Sequence, residues 1–135
     1  MDCLILGDSI AVGVFAQRRE CVSYVRGGWN SWQFNREYLP VVGTRRYRTA
    51  IVSLGANDHQ GVRSERELRK LRAEIRADRV YWISPGARKA SQLEAIEKIA
   101  TEYGDVVLPR PEQYMSADGV HPTTQGYRTL ARSTQ

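Results

Sequence analysis

No apolar stretch of this chain approaches the roughly 20 residues that cross a bilayer, and its first fifteen residues lack the basic start, apolar centre and small-residue cleavage site of a signal peptide. A cytoplasmic product with no membrane span is the expectation. Cysteine is scarce: only Cys3 and Cys21 occur, each in a stretch that reads as strand, so free buried thiols are expected rather than a disulfide or a metal pair. No Cys/His cluster has metal-ligand spacing, and neither a metal nor another cofactor is expected. Repeats, low-complexity tracts and linkers are missing too. A single domain over residues 1–135 follows, with 41% hydrophobic and 26% charged residues, a composition too apolar for disorder.

What the chain has in excess is positive charge, a formal +5 at pH 7. Arginines cluster at Arg45, Arg46 and Arg48 and again from Arg63 to Arg79, but the second group is mixed with Glu65, Glu67 and Glu74 on a predicted helix. Such a mixture reads as a solvated face with i,i+4 pairs, Glu65 with Arg69 among them. Nucleic acid is therefore not the expected partner, and an anionic polymer is kept as a secondary reading.

Five short β-rich runs alternate with helical patterns: Asp2 to Leu6, Cys21 to Val25, Thr49 to Leu54, Arg79 to Ser84 and Val106 to Leu108. Strands alternating with helices indicate βα units around a parallel sheet. The expected fold is an α/β, three-layer α/β/α sandwich whose five-stranded parallel sheet has the flavodoxin-like order 2-1-3-4-5. Helices are predicted after Ser9, from about Ser31 to Tyr38, and from about Thr123 to Arg132. Two more are predicted from the capping-box patterns Ser64-x-x-Glu67 and Ser91-x-x-Glu94, the second ending at Gly104.

In a sheet of this kind the working groups gather in loops at the carboxyl ends of the strands. After the first strand come Gly7-Asp8-Ser9; after the second, Gly27-Gly28-Trp29-Asn30; after the third, Gly55-Ala56-Asn57-Asp58; late in the chain, Asp118-Gly119-Val120-His121-Pro122. Ser, Gly, Asn, Asp and His on one rim are an inventory for acyl transfer: a nucleophile, a base, an orienting carboxylate and oxyanion donors. Ser9 reads both as a helix cap and as the nucleophile. His121 is the natural base, and Asp118, three residues earlier, can hold its other ring nitrogen.

Four ordered blocks carry a resemblance to the SGNH hydrolases, the GDSL-like esterases and lipases: Gly7-Asp8-Ser9, Gly28, Gly55-x-Asn57-Asp58 and Asp118-x-x-His121-Pro122. The resemblance extends to a closing helix with Gly126-Tyr127 and Leu130-Ala131, and it departs from the pattern where Ile10 stands for the usual leucine. It implies a metal-independent serine esterase with Ser9, Asp118 and His121 as catalytic residues. The backbone N–H groups of Ser9 and Gly28 and the side-chain amide of Asn57 would form its oxyanion hole. Gly27 stands beside Gly28 as the alternative donor. Trp29, His59 and Arg88 are candidate substrate contacts, whereas Asp8 and Asp58 read as supports for their turns. The implied substrate is a carboxylic ester, with a short acyl group such as acetate on a carbohydrate or small molecule favoured by the short chain. Longer acyl chains, or a catalytically silent polysaccharide or nucleic-acid binding module, are the rival readings.

Overall fold

Leu4 and Leu6 face one side of their strand while Cys3 and Ile5 face the other, and all four are buried. A strand covered on both faces is an interior strand of a parallel sheet. In the computed structural model, which describes residues 2–135, strands and helices alternate. The order is β1 (Cys3–Gly7), α1 (Ser9–Gln17), β2 (Val22–Val25), α2 (Ser31–Val42), β3 (Tyr47–Ser53), α3 (Ser64–Glu74), β4 (Ala77–Ile83), α4 (Ala90–Tyr103), β5 (Val106–Leu108) and α5 (Thr124–Ser133). All pairings are parallel, and the sheet order is β2-β1-β3-β4-β5, as expected.

The two faces of the sheet bury different helices. Leu4, Leu6, Ala50, Val52, Val80 and Trp82 pack with residues of α2, α3 and α4, including Phe34, Leu68, Leu71, Ile96 and Ile99. Cys3, Ile5, Ile51, Tyr81 and Ile83 pack instead with Ile10, Ala11 and Val14 of α1 and Leu130 of α5. The result is the three-layer sandwich. The order in which strands are added reverses at β1, whose neighbours are β2 and β3, so the crevice at a topological switch point opens at the carboxyl end of β1.

Two local expectations are corrected. Cys3 and Cys21 are joined as a disulfide, with Cα atoms 4.7 Å apart, and are not free thiols. The cause is register: β1 pairs with β2 so that Leu4 faces Val22, which brings the preceding residues, Cys3 and Cys21, alongside each other on the α1 side. Neither predicted capping box forms. Helix α3 starts at Ser64 after Arg63, and α4 starts at Ala90 after Lys89, with no side-chain cap at either end. The capping box lies at α2, where Asn30 Oδ1 accepts from the Gln33 amide and Gln33 Oε1 accepts from the Asn30 amide. Gly104 does end α4 in the left-handed conformation, at φ 74°.

Candidate active site

The first strand ends where the backbone of the next comes too close for any side chain. A Cβ on Gly7, which has φ +139°, would stand 1.9 Å from the Ser53 carbonyl oxygen of β3. Glycine alone fits that turn. The chain then enters α1 through Asp8, whose Oδ1 accepts from the Ile10 amide at 3.1 Å and from Ser53 Oγ at 3.0 Å. Asp8 is therefore the cap, and Ser9 is the first helical residue, correcting the reading of Ser9 as its own cap. Asp8 is 1% exposed and its Oδ2 has no hydrogen-bond partner. Burial pushes its carboxyl up from the ordinary 3.8 to about 6, against the pull of its hydrogen bonds and of nearby Arg110.

Ser9 Oγ lies 2.8 Å from His121 Nε2, and His121 Nδ1 lies 2.8 Å from Asp118 Oδ2. The loop that carries this pair is tightly folded: Asp118 Oδ1 accepts from the backbone amides of Val120 and His121 at 2.8 and 2.9 Å, and lies 3.0 Å from Ser116 Oγ. Its contact with His121, followed by those two amides, holds the Asp118 carboxyl well below the usual carboxylate range. An ionised carboxylate can only accept, so Nδ1 carries the proton and donates, which leaves Nε2 to accept from the Ser9 hydroxyl. The arrangement can move a proton from Ser9 onto His121 while Asp118 stabilises the imidazolium.

The three amides singled out as oxyanion donors stand differently. Ser9 N–H belongs to the first turn of α1, where amides have no intrahelical acceptor and the helix dipole favours negative charge. The Gly27–Gly28 peptide passes beside it, since a Cβ on Gly27 would lie 3.8 Å from Ser9 Cβ. Gly28 has φ +79°, and a Cβ there would meet nothing within 4 Å, so this position wants glycine for its backbone conformation. Asn57 is exposed and donates through Nδ2 to the Trp29 carbonyl at 3.1 Å, which leaves its second amide hydrogen unassigned. Beneath it, buried Asp58 accepts from the Ser31 amide, Ser31 Oγ and Ser64 Oγ at 2.8, 2.9 and 2.7 Å. That carboxylate ties the third loop to the starts of α2 and α3.

The candidate substrate contacts are less uniform. The Trp29 ring is half-buried, 6.0 Å from Tyr38, and carries the Arg26 guanidinium at 4.8 Å. His59 is exposed, and its Nδ1 accepts from the Gly61 amide at 3.0 Å. His59 and Arg88 line one cleft of about 640 Å3. Arg88 also lines a second, of about 410 Å3, with Gly119 and Val120 of the histidine loop.

One residue of the site escaped the sequence reading. Arg110, half-buried after β5, donates through Nε to the Ser84 carbonyl at 3.1 Å, through Nη2 to the Pro85 carbonyl at 2.6 Å, and through Nη1 to the Val120 carbonyl. It thereby fastens the histidine loop to the end of β4. Its position just past a strand end, within Pro109-Arg110-Pro111, was the available signal.

No protein-family model and no curated protein sequence matches the chain. Solved structures do. An acetylxylan esterase from Geobacillus stearothermophilus superposes with a TM-score of 0.69 at 16% identity, over 97% of this chain and 90% of that one. A GDSL-like lipase from Bacteroides thetaiotaomicron superposes with a TM-score of 0.71 at 15% identity, over 96% of this chain and 83% of that one. Identity this low speaks for the fold, and on strand order, layers and length the chain has the SGNH hydrolase fold of these esterases and lipases.

Proposed function

We propose that the chain is a serine esterase that hydrolyses carboxylic esters through an acyl-enzyme, with short acyl groups such as acetate on a carbohydrate as its substrates. The observation that carries this reading is the unbroken line from Ser9 Oγ through His121 to Asp118, two contacts of 2.8 Å at the switch point of the sheet. The acetylxylan esterase among the structures of this fold supports the acyl group and the carbohydrate.

In this mechanism Ser9 Oγ attacks the ester carbonyl carbon as its proton passes to His121 Nε2, and Asp118 stabilises the resulting imidazolium. The tetrahedral oxyanion is met by the backbone N–H groups of Ser9 and Gly28 and by the free amide hydrogen of Asn57, each worth about 3 kcal/mol in the transition state. Collapse breaks the bond to the alcohol, which leaves with the proton from His121. A water molecule then attacks the acyl-serine, gives its proton to His121 in turn, and the acid departs as Ser9 is restored.

Hydrolysis of p-nitrophenyl acetate and labelling by a serine-directed fluorophosphonate test the proposal together. Both are expected in the parent protein, with labelling abolished and turnover lowered by at least roughly a thousandfold in Ser9→Ala. Equal turnover by Ser9→Ala would remove Ser9 from the chemistry.

A further inference from the structure

Helix α3 has two arginine-bearing faces with opposite fates. Arg69 is paired with Glu65 and Glu102, and Arg72 with Asp105. Arg63, Arg66 and Lys70 are exposed on the side that faces α2. Together with Arg36 of α2 they line a groove of about 480 Å3, and among the described residues none of these four cations has an ion pair. The acid in that groove, Glu67, is 6% exposed and turned inward, its Oε1 accepting from Asn35 Nδ2 at 3.0 Å. Four exposed cations against one inward-turned acid leave the groove net positive, which attracts an anion.

The groove also keeps an aromatic ring in water. Trp32 is 48% exposed, with the Arg36 guanidinium 5.2 Å from its ring centre. A flat apolar ring beside cations suits a ligand that presents both a C–H face and carboxylates, which is the chemistry of an acidic sugar. Val62 borders this groove and the adjoining cleft of His59 and Arg88, and Arg88 borders that cleft and the one at the histidine loop. The three clefts therefore adjoin in series, from the one beside Gly119 and Val120 of the histidine loop to the cationic groove.

We infer that the substrate is an acidic polysaccharide: its ester sits at Ser9 while carboxylate-bearing sugars further along the chain occupy the groove of Trp32, Arg36, Arg63, Arg66 and Lys70. The inference rests on the esterase reading for the chemistry at Ser9 and on the groove alone for the charge of the polymer. A neutral acetylated xylan would leave these cations unsatisfied. Nucleic acid would satisfy them but carries no carboxylic ester.

Binding and turnover separate the two layers. Polygalacturonate without ester groups is expected to bind, with affinity falling at least roughly tenfold between low salt and about 0.3 M, whereas neutral xylan does not bind. The double variant Arg66→Glu/Lys70→Glu and the single variant Trp32→Ala should each lose polygalacturonate binding by roughly tenfold or more while hydrolysing p-nitrophenyl acetate as before. On acetylated polygalacturonate the parent protein should exceed its kcat/KM on acetylated xylan by about tenfold, and the charge-reversed variant should lose that preference. Equal kcat/KM on the two polymers, unchanged binding by the variants, or binding of single-stranded DNA without binding of polygalacturonate would each overturn the inference. Polygalacturonate binding by a protein inert to p-nitrophenyl acetate and fluorophosphonate would support the groove and overturn only the esterase reading.

Discussion

At the scale of single residues, the proposed site draws in a group outside the triad. Through the Val120 carbonyl Arg110 holds the peptide next to His121, and through Ser84 and Pro85 it ties that peptide to the sheet, the place of a positioning residue in the proposed esterase. A base displaced by an ångström loses its proton transfer, so Arg110→Ala should lower kcat on p-nitrophenyl acetate by roughly 10- to 100-fold with KM little changed. Fluorophosphonate labelling of Ser9 should slow in parallel, a readout that a loss of stability alone would not move. Arg110→Lys keeps the charge without the fork that reaches three carbonyls, and should recover little. Full kcat in Arg110→Ala would deny it the role. The juxtaposition of Ser9, His121 and Asp118 was legible because each stands at a strand end or in a late loop whose residue types suit acyl transfer. Arg110 was not, because its partners lie 26, 25 and 10 residues away and are backbone carbonyls without any side-chain signature.

Asp8 makes a second prediction at the same scale. Its folded carboxyl titrates near 6 and an unfolded one near 3.8, so the folded protein keeps a proton through that interval that the unfolded chain releases. Stability from this group is complete below about pH 4 and is lost as the pH rises through about 6, by ~3 kcal/mol. Asparagine imitates the protonated acid at Oδ1, accepting from Ile10 and Ser53, and does not titrate. Urea unfolding across this interval should therefore show Asp8→Asn gaining on the parent protein by ~3 kcal/mol. Parallel stability curves would place the charge elsewhere.

At the scale of elements, short β-rich runs were enough to find all five strands, because a parallel sheet buried on both faces leaves an apolar run that turn residues bracket. Helix starts were harder. Ser64 looked like a cap, but its hydroxyl is drawn to Asp58 at 2.7 Å, and Glu67 turns to Asn35. Both polar groups of the supposed box serve contacts between elements, and a tertiary partner outbids a local one. The box at Asn30 and Gln33 works because both side chains stay near solvent with nothing else to bind. Helix α2 also runs past the expected Tyr38, through Pro40 to Val42, with Phe34 and Val42 anchored in the core at either end of that stretch.

At the scale of the whole molecule, the bond between Cys3 and Cys21 joins β1 to the start of its edge-strand neighbour β2 and closes a loop across the first βα unit. Composition alone could not reveal it, because the pairing depends on the register of β1 against β2, which two isolated cysteines do not encode. A cross-link over 18 residues of chain restricts the unfolded ensemble and is worth ~3 kcal/mol. It also bears on the cytoplasmic expectation, since reducing compartments keep such thiols open. Oxidised protein should yield no thiol to alkylation when unfolded without reductant, and two after reduction. Cys3→Ser/Cys21→Ser should unfold ~3 kcal/mol more easily in urea than the oxidised protein. It should match the reduced protein closely and hydrolyse p-nitrophenyl acetate at an undiminished rate, because both residues lie near the start of their strands, away from the carboxyl ends that hold Ser9 and Gly28. A variant as stable as the oxidised protein would mean that the cross-link leaves the unfolded chain no less free.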